Sequence, residues 1–310
     1  MPISAAPQQG STFHNLPAAA SAKTLIPDHS SPQQGTFVGL SDPLLALAAD
    51  VLDDLERVKI ANQNRLRSLT RIGEDKDGEE RGFGLDESHP DVARLAALVE
   101  MLEKAEHDAT LNLQRVMRRH PLGPWIKTKK GIGDKQAARL LAKIGDPYWN
   151  HADDKARTVS ALWAYCGLHV LPASQELHDA HLSTAGGSSL GGDSSRGAPV
   201  ILNQSAGVAA RRKKGVQSNW SQDAKMRAWL IIGSCMKQLD PYCKGETGIA
   251  DHLSTCNCSE YRIKVDKRRI HTAVTHPDWT PGHSLQDGMR IASKELLKDL
   301  WIEARRLHNE

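Results

Sequence analysis

Between residues 41 and 120, apolar side chains recur every three or four positions, the spacing that gives an α-helix one buried face. The stretch "SDPLLALAADVLDDLERV" carries start signals in order: Ser41 as a cap, Pro43 in the first turn, then apolar residues at 44, 48, 51, 55 and 58. The stripe returns at Leu66 and Leu69. A polar loop from Gly73 to His89 follows, and a second helix is predicted from Pro90. Its seam runs through Val92, Leu95, Val99, Leu102, Ala105, Ala109, Leu113 and Val116. The seam has coiled-coil spacing. Two such helices fit a hairpin packed on its own domain and a dimer surface equally well.

Downstream, "KKGIGDKQAARLLAKIGDP" at 129–147 reads as a tight turn opening into a helix that begins at Asp134. "RTVSALWAYCGLHV" reads as a short buried helix ended by Gly167. "AKMRAWLIIGSCMKQLD" is apolar nearly all round, hence central, and Pro241 stops it. A last helix from Ser284 places Leu285, Met289, Ala292, Leu296, Leu300 and Leu307 on one face. No run of alternating strands occurs. The predicted fold is mostly α: a helical hairpin at 41–120, then a helical domain at 121–308 with flexible insertions at 172–204 and 243–262. Residues 1–40 are rich in Pro, Ala, Ser and Gln without periodicity, and read as a disordered arm.

Composition sharpens this picture in two places. All seven tryptophans lie between Trp125 and Trp301, so the first 120 residues lack a large aromatic core. Net charge is only +3, but it is segregated: Gly73 to Asp91 is acidic, while 127–135 and 211–227 are basic. Such segregation suits a protein with one face toward phosphate. No stretch of about 18 apolar residues offers a membrane span. The first residues lack the basic segment and apolar run of a secretory leader. Five cysteines form no even-numbered disulfide framework, which points to a reducing cytoplasm.

The turn at 129–133 holds the strongest chemical signal. A P-loop needs Gly-x4-Gly-Lys-Ser/Thr, and a dinucleotide fingerprint needs a third glycine; both are missing. An ordinary inter-helix turn would need one glycine and no particular charge. A helix-hairpin-helix uses what is present: the helix ending near Arg119 and the one starting at Asp134 flank Gly131-Ile132-Gly133. Glycines let backbone N–H groups approach a phosphate, and the helix N-terminus adds its positive dipole end. Ile132 would plug the turn into the core. Lys129, Lys130, Lys135 and Arg139 would supply charge, with Arg211, Arg212, Lys213 and Lys214 as a second basic stretch and Trp220 anchoring or stacking beside it. Contacts of this kind hold a nucleic-acid backbone without reading its sequence.

In order along the chain, "KKGIGDKQAARLLAKIGDP", "RTVSALWAYCGLHV", a basic stretch and "AKMRAWLIIGSC" resemble the C-terminal transposase domain of the IS one-ten family, the Piv/MooV group of transposases and site-specific recombinases. The resemblance covers about residues 90 to 306 and is strongest from 129 to 170. It implies DNA transposition or recombination by a mobile element. In that family an N-terminal RuvC-like domain supplies four acidic residues that bind Mg2+, and the C-terminal domain supplies a serine nucleophile. Here Ser205, ahead of the basic cluster, fits that serine best; Ser218 and Ser221 stand closer to the next helix than the pattern expects. The forty residues before the hairpin are too few for a RuvC-like sheet. Asp50, Asp53 and Asp54 read as a solvated acidic face. Mg2+ would therefore enter only with a RuvC-like partner chain. The implied partners are DNA, a structured RNA or that partner protein, and a second copy of this chain. The alternative is a helix-hairpin-helix binding module without chemistry.

Cys243, His252, Cys256 and Cys258 lie within sixteen residues and include the ligand types of a tetrahedral zinc site. Their spacing is not a common one, and a polar insertion with unpaired thiols is the preferred expectation. His271, His276 and His283 read as structural or capping groups.

Overall fold

The computed structural model describes residues 40–73, 77–79, 81–171, 208–209, 218–245 and 248–310. The fold is mostly helical, as its sequence predicts. In chain order the described helices are α1 (Pro43–Thr70), α2 (Pro90–Arg119), α3 (Gly123–Thr128), α4 (Asp134–Ile144), α5 (Val159–Tyr165), α6 (Gln222–Met236), α7 (Glu260–Thr275) and α8 (Pro281–His308). A 3-10 turn at Pro241–Cys243 and two short antiparallel ladders complete the described regular structure, the ladders pairing Trp149–Asn150 with Lys155–Ala156 and Val170–Leu171 with Val208–Ala209. None of these helices is long and apolar enough to cross a membrane.

The described residues from 40 to 310 belong to one compact unit. The α1–α2 hairpin is therefore not a separate body: Leu45, Leu52, Leu113 and Met117 share one core with Leu140, Ile232, Tyr261 and Leu296. Within it, α4 packs against α1, α2, α3 and α6, while α6 also packs on α7 and α8. The buried stripe of α1 is Leu45, Ala49 and Leu52. This is one position off the expected register, and Leu44 and Val51 are exposed. Because α1 has apolar residues on both flanks, its sequence allows either face; α2 and α4 take the 45/49/52 side. The N-cap also differs. Asp42 accepts the Leu44 N–H at 2.8 Å, while the Ser41 hydroxyl accepts the N–H of Asp146 at 3.0 Å.

Asp146 ties distant parts of the chain together. Fully buried, its carboxylate accepts the N–H groups of Leu40, Tyr148 and Trp149 at 2.8–3.0 Å and faces His308 Nε2 at 2.6 Å. Nearby, His120 accepts the Leu122 N–H on Nδ1, so its Nε2 carries the proton and donates to the Leu40 carbonyl at 3.0 Å. Burial holds the His120 pKa below the usual value. Trp125, Trp163, Trp229 and Trp301 pack against the same core. Trp163 and Trp301 donate their indole N–H groups to the carbonyls of Lys294 and Arg157 at 2.9 and 2.8 Å.

A ladder of ion pairs joins α4 to its neighbours. Lys135, Arg139 and Lys143 stand four residues apart on one face of α4, and Glu56, Asp53 and Asp50 stand three apart on α1. Lys135 meets Glu56 at 2.8 Å, Arg139 meets Glu56 and Asp53, and Lys143 meets Asp50 at 2.7 Å. Arg227 of α6 reaches Asp53 at 2.8 Å, and Glu106 of α2 faces Lys135 at 3.4 Å. The acidic residues of α1 are thus paired rather than merely solvated, although Asp50 and Asp54, the latter bonded to Arg57 one turn on, remain exposed. Burial raises the Glu56 pKa, but hydrogen bonds from Arg139 and Lys135 outweigh it and bring the value to about 2.

The sign of that shift sets a pH window. A carboxylate with a depressed folded-state pKa stabilises the fold above its unfolded value, and loses that contribution as pH falls toward its folded value. Thermal stability is expected to fall between about pH 4.5 and 2 as Glu56 protonates. In Glu56→Gln, stability at neutral pH should be lower and the acid decline shallower. Calorimetric scans across that range check both.

Candidate nucleic-acid interface

The turn at 129–133 joins α3 to α4, so the first arm of the hairpin is α3 and not the end of α2. The inserted helix starts at "GPWIKT", where Pro124 sits in the first turn. Gly131 adopts φ +90°, and a Cβ there would lie 2.8 Å from the Cα of Cys235 and 2.9 Å from Gln238 Cγ. Glycine is required twice over, by backbone conformation and by close packing on α6. Ile132 is buried as expected and donates its N–H to the Lys129 carbonyl at 3.2 Å. Gly133 differs from Gly131. It is exposed, has an ordinary extended backbone, and has no atom within 4 Å of where a Cβ would stand.

Gly133 is also the N-cap of α4, and no side chain caps that helix. The first amides of a helix have no intrahelical acceptor, so an uncapped exposed start presents N–H donors and a positive dipole end outward. Asp134 in the first turn carries opposing charge, which Arg118 offsets through its Nε at 2.9 Å. Arg118 is not evident from the sequence as part of this site. Its signal was available in the basic last turn of α2, but the sixteen-residue separation hid the pairing.

The structure divides the predicted cations. Lys130 is exposed and donates to the Asn257 carbonyl. Lys129 is half-buried between Glu260, at 2.7 Å, and the Trp125 ring, 5.0 Å from its centroid. Lys135 and Arg139 face away from the turn, into the ion ladder; Arg139 is 3% exposed. Arg139 thus departs from its expected phosphate role because the i, i+4 stripe to which it belongs points at α1. Ser205 and Arg211, Arg212, Lys213 and Lys214 lie outside the described residues, as do the whole 172–204 insertion and all but the last residue of the 1–40 arm. The other two serines have local partners. Ser221 caps α6 by accepting the Ala224 N–H at 3.2 Å, and Ser218 donates to the Trp220 carbonyl at 3.3 Å. Trp220 packs on Gly167, where a Cβ would come within 2.4 Å of the indole. Its role here is packing.

Behind the turn lies residue 240 onward. Asp240 accepts the N–H groups of Asn257 at 2.8 Å and Tyr242 at 3.1 Å, which hold its carboxyl below the usual pKa. Ser259 N–H donates to Gln238 O at 3.0 Å. This segment is not the loose polar insertion expected at 243–262. The chain turns back so that Cys243, His252, Cys256 and Cys258 converge, with their ligand atoms all within 4.8 Å of one another, a cluster able to hold a metal ion. From Glu260 the chain is already in α7, a helix the sequence pattern did not announce. No protein-family model matches this chain, and neither a curated protein nor a solved structure does.

The two glycines predict opposite outcomes. Gly131→Ala should cost about 2 kcal/mol or more, from left-handed strain and overpacking against α6. Gly133→Ala should leave urea-unfolding stability within about 0.5 kcal/mol, since its backbone and surroundings admit a methyl group.

Proposed function

We propose that this chain is a DNA-binding protein of the transposase kind, related to the IS one-ten group, which grips the duplex backbone through the turn around Gly133. The observation carrying this reading is the uncapped, exposed N-terminus of α4, with Gly133 leaving room for close approach and Lys130 and Arg118 beside it. A phosphate there would accept backbone N–H groups, with Lys130 nearby and the Asp134 charge offset by Arg118. The Arg211–Lys214 stretch would extend the contact. A second copy of the chain would find apolar surface on α1, where Leu44 and Leu47 are exposed.

Chemistry, on this proposal, belongs to Ser205 attacking a DNA phosphate, with Mg2+ and its acidic ligands supplied by a separate RuvC-like chain. A binding module without chemistry is the second reading. It is favoured by the pairing of Asp50 and Asp53 with α4 and α6, which leaves those carboxylates engaged with cations of the fold itself.

Gly133→Asp separates binding from folding. Aspartate is a good N-cap residue and the site has room, so the melting temperature should hold or rise. Its carboxylate would stand where the phosphate is proposed to sit, and duplex affinity should fall at least tenfold. Wild-type affinity should also fall steeply with salt, and Lys130→Ala should reduce the log–log slope by about one. Full affinity in Gly133→Asp would remove the turn from the interface.

For the enzymatic part, Ser205→Ala should abolish Mg2+-dependent nicking of element-end DNA, in the presence of the RuvC-like chain, while retaining DNA affinity. Equal nicking by both proteins would discard Ser205 as nucleophile.

A further inference from the structure

We propose that Cys243, His252, Cys256 and Cys258 form a structural zinc site that folds the 240–259 segment behind the turn. The inference rests on these residues and their supports, and stands whether or not the chain binds DNA.

The geometry is that of a four-ligand set. A tetrahedral zinc with bonds to sulfur of about 2.3 Å holds its sulfur ligands roughly 3.8 Å apart. Here the four ligand atoms lie within 4.8 Å of one another, and His252 Nδ1 is 3.8 Å from Cys256 Sγ. All three thiols are free, Cys243 and Cys258 are buried, and the two remaining ligands are half-buried. Soft thiolates with one imidazole select zinc over the hard cations, magnesium and calcium.

The imidazole is oriented for the task. His252 Nε2 lies 3.1 Å from Asp266 Oδ2, and Asp266 is fully buried. The same oxygen accepts the Arg262 Nε–H at 2.7 Å, and Arg269 approaches the other oxygen at 3.6 Å. Between two guanidinium groups Asp266 is a carboxylate, which only accepts; Nε2 must therefore carry the hydrogen. The Nδ1 lone pair is left facing the thiols. A carboxylate behind a ligating histidine is a recurrent support of metal sites.

Apart from backbone hydrogen bonds such as Ser259 N–H to the Gln238 carbonyl, the described part of the segment has little apolar burial of its own. Among the described residues, its apolar cluster is Cys243, Ala250 and Cys258, with Leu239, Cys256 and Ile263 at its edge. Gly245 lets the chain double back so tightly that a Cβ would come within 2.1 Å of the Ile249 carbonyl. A loop so short of apolar burial is the kind for which metal binding supplies folding free energy.

The test uses the full chain purified from zinc-supplemented medium. One zinc per chain that survives dialysis is expected by elemental analysis. Replacement by Co2+ should give the intense visible absorption of a tetrahedral cobalt–thiolate centre. In Cys256→Ser, with helix content unchanged by circular dichroism, zinc affinity should fall at least tenfold. Cys166→Ala, outside the cluster, should keep the full zinc content. Should Cys256→Ser fail to fold, cobalt replacement in the wild type decides alone. Zinc no higher than in a metal-free control, a disulfide among the three thiols of freshly purified protein, no thiolate band with cobalt, or unchanged zinc affinity in folded Cys256→Ser would each overturn the site.

Discussion

Arg139 is the cation on which the arrangement of helices turns. A guanidinium at 3% exposure is tolerated only where anions surround it, and here Asp53 and Glu56 do so from α1. Asp53 in turn reaches Arg227 of α6. The charge pattern fixes how α4 lies between α1 and α6: its stripe of cations, read from Lys135 to Lys143, meets the α1 acids read backward from Glu56 to Asp50. A slide of one turn would leave Arg139 opposite the wrong partner. Apolar packing gives these helices a reason to associate, and the ladder gives them a register.

The start of α4 inherits that register. Gly131 packs on Cys235 of α6, Ile132 enters the core, and Lys129 is held against Glu260 of α7. The turn is therefore supported by α6, α7 and the core, while Gly133 projects with open space around its Cβ position. This division explains why two glycines two residues apart have different work. The first permits a close approach inside the molecule, and the second leaves space outside it.

Much of the fold was legible from sequence because it depends on long periodic stretches. The α2 seam, the start of α4 at Asp134 and the face of α8 follow from apolar spacing and cap residues. What escaped has physical causes. The register of α1 was ambiguous because apolar residues occupy both of its flanks, and only the partner helices choose between them. α3 is six residues long, too short for periodicity to speak. α7 carries few apolar residues, and its buried positions include Asp266 and Thr272, so its helical face is written partly in polar residues. Lys135 and Arg139 were assigned to phosphate because charge near a turn is visible in sequence, whereas the acids that claim it lie some eighty residues away. The Cys/His cluster was discounted on spacing. Spacing rules describe the common loops, and this loop reaches convergence by the sharp turn at Gly245 and the backstop of Asp266.

The segment from 240 to 259 connects the two proposals. Asp240 holds Asn257, Asn257 accepts from Lys130, and Cys258 accepts the Asp240 N–H at 3.2 Å. Cys258 is also one of the four proposed zinc ligands. A metal drawing Cys243 and Cys258 together would set the backbone carbonyl that orients the most exposed lysine of the turn. Loss of that restraint acts on Lys130 and on the Lys129–Glu260 pair, and leaves the ion ladder on the far side of α4 untouched. On these two proposals together, loss of the metal would act first on the rim of the turn, because Lys130 is tied to the 240–259 segment through the Asn257 carbonyl.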